Sequence, residues 1–177
     1  MMLDEPRSRE QRRMDTLHRL ANDVDCWVAT AGESPYLIPL SFLWDAGTLL
    51  MSTPESSPTG RNLRARGTVR VGLGPTRDVV LIEGTVQVVT IAELPQAVGD
   101  AFAAKTGFDP RRLATPYLYF RILPRRIQAW REVNELPGRD LMREGRWLTA
   151  TGSVLGVAMT EKEAAAQQAG AGPCGHH

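Results

Sequence analysis

The chain has 177 residues, with 21 basic against 20 acidic side chains and a formal net charge of +1. That length buries one good core, so a single domain is expected. The near-balance of charge argues against bulk binding to nucleic acid or a membrane surface, which needs a large positive excess. The two cysteines, Cys26 and Cys174, lie far apart, which speaks against a disulfide framework and for a reducing cytoplasm. The N-terminal MMLDEPRSREQRRMD is charged and lacks the apolar centre of a signal peptide. No apolar run approaches the roughly 20 residues that span a bilayer.

Residues 7–21 place Met14, Leu17 and Leu20 at helical spacing with arginines on the other faces, which predicts an amphipathic helix ending near Asn22. CWVATA (26–31) reads as a strand, GESP (32–35) as a turn, and YLIPLSFLW (36–44) as a second strand, bent or edged at Pro39. DAG (45–47) is a hairpin turn and TLLMST (48–53) pairs back. A helix fits 58–66, with Ser57 as cap, Pro58 at its first position and Gly67 at its end. TVRVGLG (68–74) alternates, and DVVLIEGTVQVV (78–89) is a long strand kinked at Gly84. A second amphipathic helix over 91–107 carries Leu94, Val98, Ala101 and Phe102 on one stripe. Strand chemistry returns over 116–132, with a break expected at Pro124. The acids and arginines of 131–147 read as a solvated ion-pair surface. The tail, 149–177, is rich in alanine, glycine and glutamine and is expected to be a frayed helix or flexible. Six or seven short strands in hairpin order, with helices inserted, describe a small antiparallel barrel, mainly β with accessory helices.

One segment asks for a ligand. Arg61, Arg64, Arg66, Arg70 and Arg77 follow one another with no acid between Glu55 and Asp78. Thr53 closes a strand, and Ser57 and Thr59 bring hydroxyls to a helix start, where free N–H groups and the helix dipole favour an anion. Arg61 and Asn62 follow in the first turn, and an arginine fork grips two phosphate oxygens at once. The residues describe a terminal-phosphate pocket. They are equally those of a capped surface helix with solvated arginines.

The run PYLIPLSFLWDAGTLLMSTPESSPTGRNLRARGTVRVGLG, followed by RDVVLIEGTVQVV with its Glu83-Gly84, resembles the pyridoxamine 5'-phosphate oxidase-like superfamily of flavin- or deazaflavin-binding split β-barrels. The resemblance covers roughly residues 24–132 and implies an FMN-binding type of split barrel. Length and the loss of pattern past Leu148 give one domain over 1–148, with 1–22 as its N-terminal helix. By the resemblance, the flavin ring would lie against Pro39, Leu40 and Ser41 on one strand and Met51, Ser52 and Thr53 on the next. The phosphate would reach Ser57, Thr59, Arg61 and Asn62. Relatives carry a basic residue three positions before the asparagine, where this chain has Thr59. The glutamine that pyridoxamine phosphate oxidases proper place near Val79 is absent, so pyridoxamine phosphate itself is not the expected substrate. The family's cofactor sits between the two subunits of a homodimer, and 127–139 is the region that would reach across, with Trp130 over the ring and Arg131 toward an anionic group. Trp130 reads as readily as strand-end packing.

Other chemistries lack their residues. His18 is the only histidine before the tail, which leaves a serine–histidine–carboxylate triad without a base. Cys174, His176 and His177 do not make a designed metal site, and paired carboxylates are not evident. Hydride-transfer chemistry resides in the cofactor, so an enzyme of this kind needs no catalytic side chain. The resemblance thus implies a flavin- or deazaflavin-dependent oxidoreductase acting on a small organic substrate. The alternative is a non-catalytic flavin-, haem- or anion-binding barrel for storage, sensing or assembly. FMN is narrowly preferred over 8-hydroxy-5-deazaflavin (coenzyme F420), whose polyanionic tail would need a further basic groove from Arg7, Arg9, Arg12 and Arg13.

Overall fold

The computed structural model describes residues 4–151. The expected tail lies outside the described residues from position 152 on, together with Cys174, His176 and His177. In chain order the elements are α1 (Arg9–Asn22), β1 (Asp25–Ala31), β2 (Pro35–Asp45), β3 (Thr48–Pro54), α2 (Pro58–Arg66) and β4 (Thr68–Leu73). Then come β5 (Val79–Val89), α3 (Gln96–Thr106), β6 (Tyr117–Trp130), β7 (Asp140–Arg143) and β8 (Arg146–Trp147). The strands are antiparallel in the order β3-β2-β1-β4-β5-β6-β7-β8, and β3 also pairs with β6. Six strands therefore close a barrel of the split type, and β7 and β8 extend it beyond β6.

Strand alternation builds the core. Cys26 and Val28 of β1 and Val69, Val71 and Leu73 of β4 point inward, where they meet Phe42, Met51, Ile82, Phe120 and Ile127. Helices α1 and α2 each add a fully buried leucine to it, Leu20 and Leu63, each worth about 1.5–3 kcal/mol of burial. A smaller cluster sits outside the barrel, where Leu94 and Phe102 cover Leu50 and Tyr119. At the β2–β3 turn, Ala46 and Gly47 both take positive φ, as a two-residue hairpin with matching twist requires. Among the described residues no helix is long and apolar enough to cross a membrane.

Four local expectations are corrected. Helix α1 turns Arg12, Thr16 and Leu20 inward, while Met14 is 56% exposed. Arg12 can be buried because its Nη1 donates to the carbonyls of Ala129 (3.3 Å) and Glu135 (3.0 Å). Helix α3 begins only at Gln96, after a turn closed by Glu93 on Thr90, and Ala101 is exposed. Strand β6 passes through Pro124 unbroken, because the irregularity is absorbed by a bulge: Glu83 pairs with Arg126 and Gly84 with Pro124, leaving Arg125 extra. The 131–147 region is not merely a solvated surface, since Glu135 and Asp140 are buried in ion pairs.

Candidate functional site

Strands β2 and β3 pair only from Asp45–Thr48 to Phe42–Met51. Beyond that rung they part, β2 staying with β1 and β3 with β6. Phe42 N–H donates to Val24 (2.8 Å) and Glu55 N–H to Pro116 (3.1 Å). By strand alternation, the main-chain groups of Ser41 and Ser52 then face the gap instead of a neighbouring strand. Pro39 also faces it and has no N–H to leave unpaired. The gap is a groove of about 430 Å³, lined by Pro39, Leu40, Ser41, Ser52, Thr53 and Pro54. That size lies in the range of small-molecule sites. Phe102, Phe108 and Tyr117 form an aromatic wall, with the rings of Phe108 and Tyr117 5.4 Å apart. Asp25 stands at the mouth and accepts from Ser41 Oγ at 2.6 Å.

The groove runs toward the start of α2. Thr53 Oγ1 and Ser57 Oγ are 3.1 Å apart, and Ser57 caps the helix by accepting from Gly60 N–H at 3.0 Å. Gly60 is required here, since a Cβ would lie 2.4 Å from the Pro54 carbonyl oxygen. Thr59 is fully buried and its Oγ1 has no hydrogen-bond partner among the described residues. An orphan hydroxyl beside a helix N-terminus is costly unless a ligand or water answers it. This donor set fits a phosphate.

The predicted residues divide accordingly. Pro39, Leu40, Ser41, Ser52 and Thr53 line the groove, while Ser57, in contact with Thr53, and the buried Thr59 belong to the start of α2 and are not part of its lining. Met51 is fully buried in the barrel core. Arg61 is exposed and folded back, donating to the Ser56 carbonyl. Asn62 braces the β1–β2 turn through Thr30 Oγ1 at 3.1 Å, close under Gly32. Trp130 and Arg131 lie at the far end of β6 from Tyr117 and are not brought to this groove within one chain. Arg131 pairs with Asp78 at 3.2 Å, and Trp130 carries the Arg139 guanidinium 5.4 Å from its ring centre.

The five arginines separate too. Arg64, Arg70 and Arg77 pair with Glu55 (2.7 Å), Glu83 (2.7 Å) and Glu132 (2.9 Å), exposed contacts worth about 0–1 kcal/mol each. Arg61 and Arg66 have no carboxylate partner among the described residues. Among the described residues the four N-terminal arginines do not form one groove, although Arg9 lines a separate concavity with Arg126, Arg139 and Arg143. Arg7 is held by Glu135, Asp15 and Asp78, Arg12 and Arg9 donate to main-chain carbonyls, and Arg13 stacks on Trp147. The sequence reading missed Asp25, Pro54, Phe102, Phe108 and Tyr117. Asp25 is legible only once its register opposite Ser41 is known, and Phe102 had been read as packing alone.

The sequence profile of the pyridoxamine 5'-phosphate oxidase family matches residues 19–132. No curated protein matches the chain. Among solved structures, an FAD-binding protein from Mesorhizobium loti is similar at 19% identity and a TM-score of 0.55, covering 72% of this chain and 95% of its own. A protein named F420 reductase is 16% identical with a TM-score of 0.51, over 62% of this chain and 93% of its own. A Clostridium acetobutylicum protein related to general stress protein 26, of the pyridoxinephosphate oxidase family, is 13% identical with a TM-score of 0.52, over 70% and 91%. At these identities the structures establish the barrel fold, while the profile spans more than half of the chain. The chain belongs to the pyridoxamine 5'-phosphate oxidase family.

Proposed function

We propose that the protein is a flavin-type oxidoreductase whose cofactor lies in the β2–β3 split, and whose substrate is a small organic molecule. The observation that carries this reading is the groove itself, a gap edged by the main-chain groups of Ser41 and Ser52, whose lining residue Thr53 touches Ser57 at the start of α2, the helix that carries the orphan hydroxyl of Thr59. When bound, the flavin or deazaflavin supplies hydride transfer. The chain's own residues orient it. Leu40, Pro39 and the aromatic wall offer apolar contact and keep water out, Ser41 and Asp25 present a donor and an acceptor, and Ser57, Thr59 and the first turn of α2 hold the phosphate. Arg61 would swing from the Ser56 carbonyl onto the phosphate. FMN is favoured over the deazaflavin, because none of Arg7, Arg9, Arg12 and Arg13, which a polyanionic tail would need, lines this groove.

The reading includes a homodimer in the cytoplasm. Trp27 and Leu37, 54% and 60% exposed, share the outer face of β1 and β2 with Pro39, so a second copy seated there would border the groove. That copy could bring its Trp130 and Arg131 to the groove. Cys26 has no disulfide partner among the described residues, and burial pushes its thiol up to about 12, which keeps it in the unreactive thiol form. Loading the full chain with FMN and supplying reduced nicotinamide with an electron acceptor tests the reaction. Repeated reduction and reoxidation of bound flavin supports an oxidoreductase. Tight binding without cycling supports a storage, sensing or assembly role.

A further inference from the structure

We propose that a second concavity, bounded by α1, the end of β6 and the turn into β7, binds a small molecule bearing oxyanion groups, phosphate or carboxylate. It encloses about 480 Å³ and is lined by Arg9, Arg126, Arg139 and Arg143, with Asp140 as its one carboxylate. Arg126 and Arg143 share Asp140, at 3.0 and 2.5 Å. Among the described residues Arg9 is bound only to main-chain carbonyls, those of Asp140 (3.2 Å), Thr149 (2.8 Å) and Ala150 (3.0 Å). Arg139 has no carboxylate partner among the described residues and is parked on the Trp130 ring. Four positive charges therefore face one negative charge. The nearby Glu83 is 3.8 Å from Arg126 but is already engaged by Arg70, and Glu135 is taken by Arg7.

The charge imbalance continues behind the wall. Arg12 is 6% exposed, and its Nε has no partner among the described residues. Gly138, in a left-handed turn at φ 68°, brings the chain past both heads, so that a Cβ there would lie 3.5 Å from Arg9 Nη2 and 3.6 Å from Arg12 Nη2. Burial lowers the Arg12 pKa, and the charges of Arg7 and Arg9 lower it further against the pull of Glu135. An oxyanion would relieve this crowding and match the planar forks of Arg139 and Arg143. In one chain this site stands at the opposite end of β6 from the groove, and it is built from residues that do not line that groove.

The full chain is titrated with inorganic phosphate, and separately with citrate, at ionic strength held constant by sodium chloride. Binding is followed by calorimetry and by tryptophan fluorescence. Saturable binding is expected, with a fluorescence change that Trp130→Phe abolishes as Arg139 leaves the ring. Arg139→Gln and Arg143→Gln should each weaken binding about tenfold or more, the scale of one charge-assisted hydrogen bond. Arg61→Ala, which touches only the α2 end, should leave this component unchanged. Should one arginine variant fail to fold, the other carries the comparison. An effect reproduced by chloride alone, or equal affinity in Arg139→Gln and wild type, would overturn the site.

Discussion

At the scale of single residues, the Thr59 hydroxyl separates a site from a mere helix cap. Its Oγ1 is buried without a partner among the described residues, a condition that costs about 1–3 kcal/mol if nothing answers it. Thr59→Val keeps the shape and removes the polar atom. The variant should unfold at equal or higher urea than wild type when cofactor is absent, yet bind FMN more weakly. A loss of stability without cofactor would assign the hydroxyl a structural partner instead. Arg61 is the complementary case, since it is exposed and its hydrogen bond to Ser56 is local. Arg61→Ala should leave folding unchanged and weaken FMN binding by about 1–3 kcal/mol, the loss of a charge-assisted contact. An unchanged dissociation constant would remove Arg61 from the site.

At the scale of elements, the site exists because two strands that start as a hairpin do not finish as one. Gly84 serves the same closure from the other side, at the bulge where β5 meets Pro124. A Cβ on it would lie 2.7 Å from Ile122 Cγ2 and 2.9 Å from the Leu123 carbonyl oxygen. The side chain can shift, but the main-chain oxygen cannot. Gly84→Ala should therefore destabilise by about 1–3 kcal/mol in urea unfolding. Gly84 as a special position of β5 was legible in the sequence, as were the α2 bounds, because glycine and proline mark such places with strong local chemistry. The closing β3–β6 pairing, the parting of β2 from β3 and the bulge that carries β6 through Pro124 were not. They depend on partners far away in the chain, which no local pattern encodes. The same holds for α1: its apolar spacing predicted Met14 inward, but distant carbonyls of Ala129 and Glu135 made Arg12 the buried residue. Of the candidate site, Pro39–Ser41 and Ser52–Thr53 were legible through the family resemblance. Asp25 and the wall of Phe108 and Tyr117 needed the fold.

At the scale of the whole molecule, an ion pair on a buried carboxylate ties the two ends of the described chain together. Arg7 holds Glu135 at 2.8 Å across 128 positions. Its hydrogen bond lowers the Glu135 carboxyl from 4.5 to about 2, against the opposing effect of burial. Burial would push Asp140 up, but Arg126, Arg143 and Gln128 outweigh it and hold that carboxyl at about 2 as well, from 3.8. Both folded values lie below the unfolded ones. The stability they contribute is thus fully present above about pH 4.5 and is lost as pH falls toward 2. Acid unfolding should steepen across that window, and Glu135→Ala, which removes one carboxylate from the half-buried Arg7 but leaves it Asp15 and Asp78, should cost about 1.5–3 kcal/mol at neutral pH. The same experiment at pH 2 should show the wild type brought close to the variant.

The central claim is that the strand split is a flavin site, and equilibrium binding tests it most directly. The full apo-chain is titrated, by fluorescence, with FMN and in parallel with the deazaflavin coenzyme. Saturable binding of FMN at micromolar concentration or tighter is expected, weakened in Arg61→Ala and in Thr59→Val. Saturation by neither compound would contradict it, leaving the groove a gap in the barrel and the arginines of α2 a solvated face.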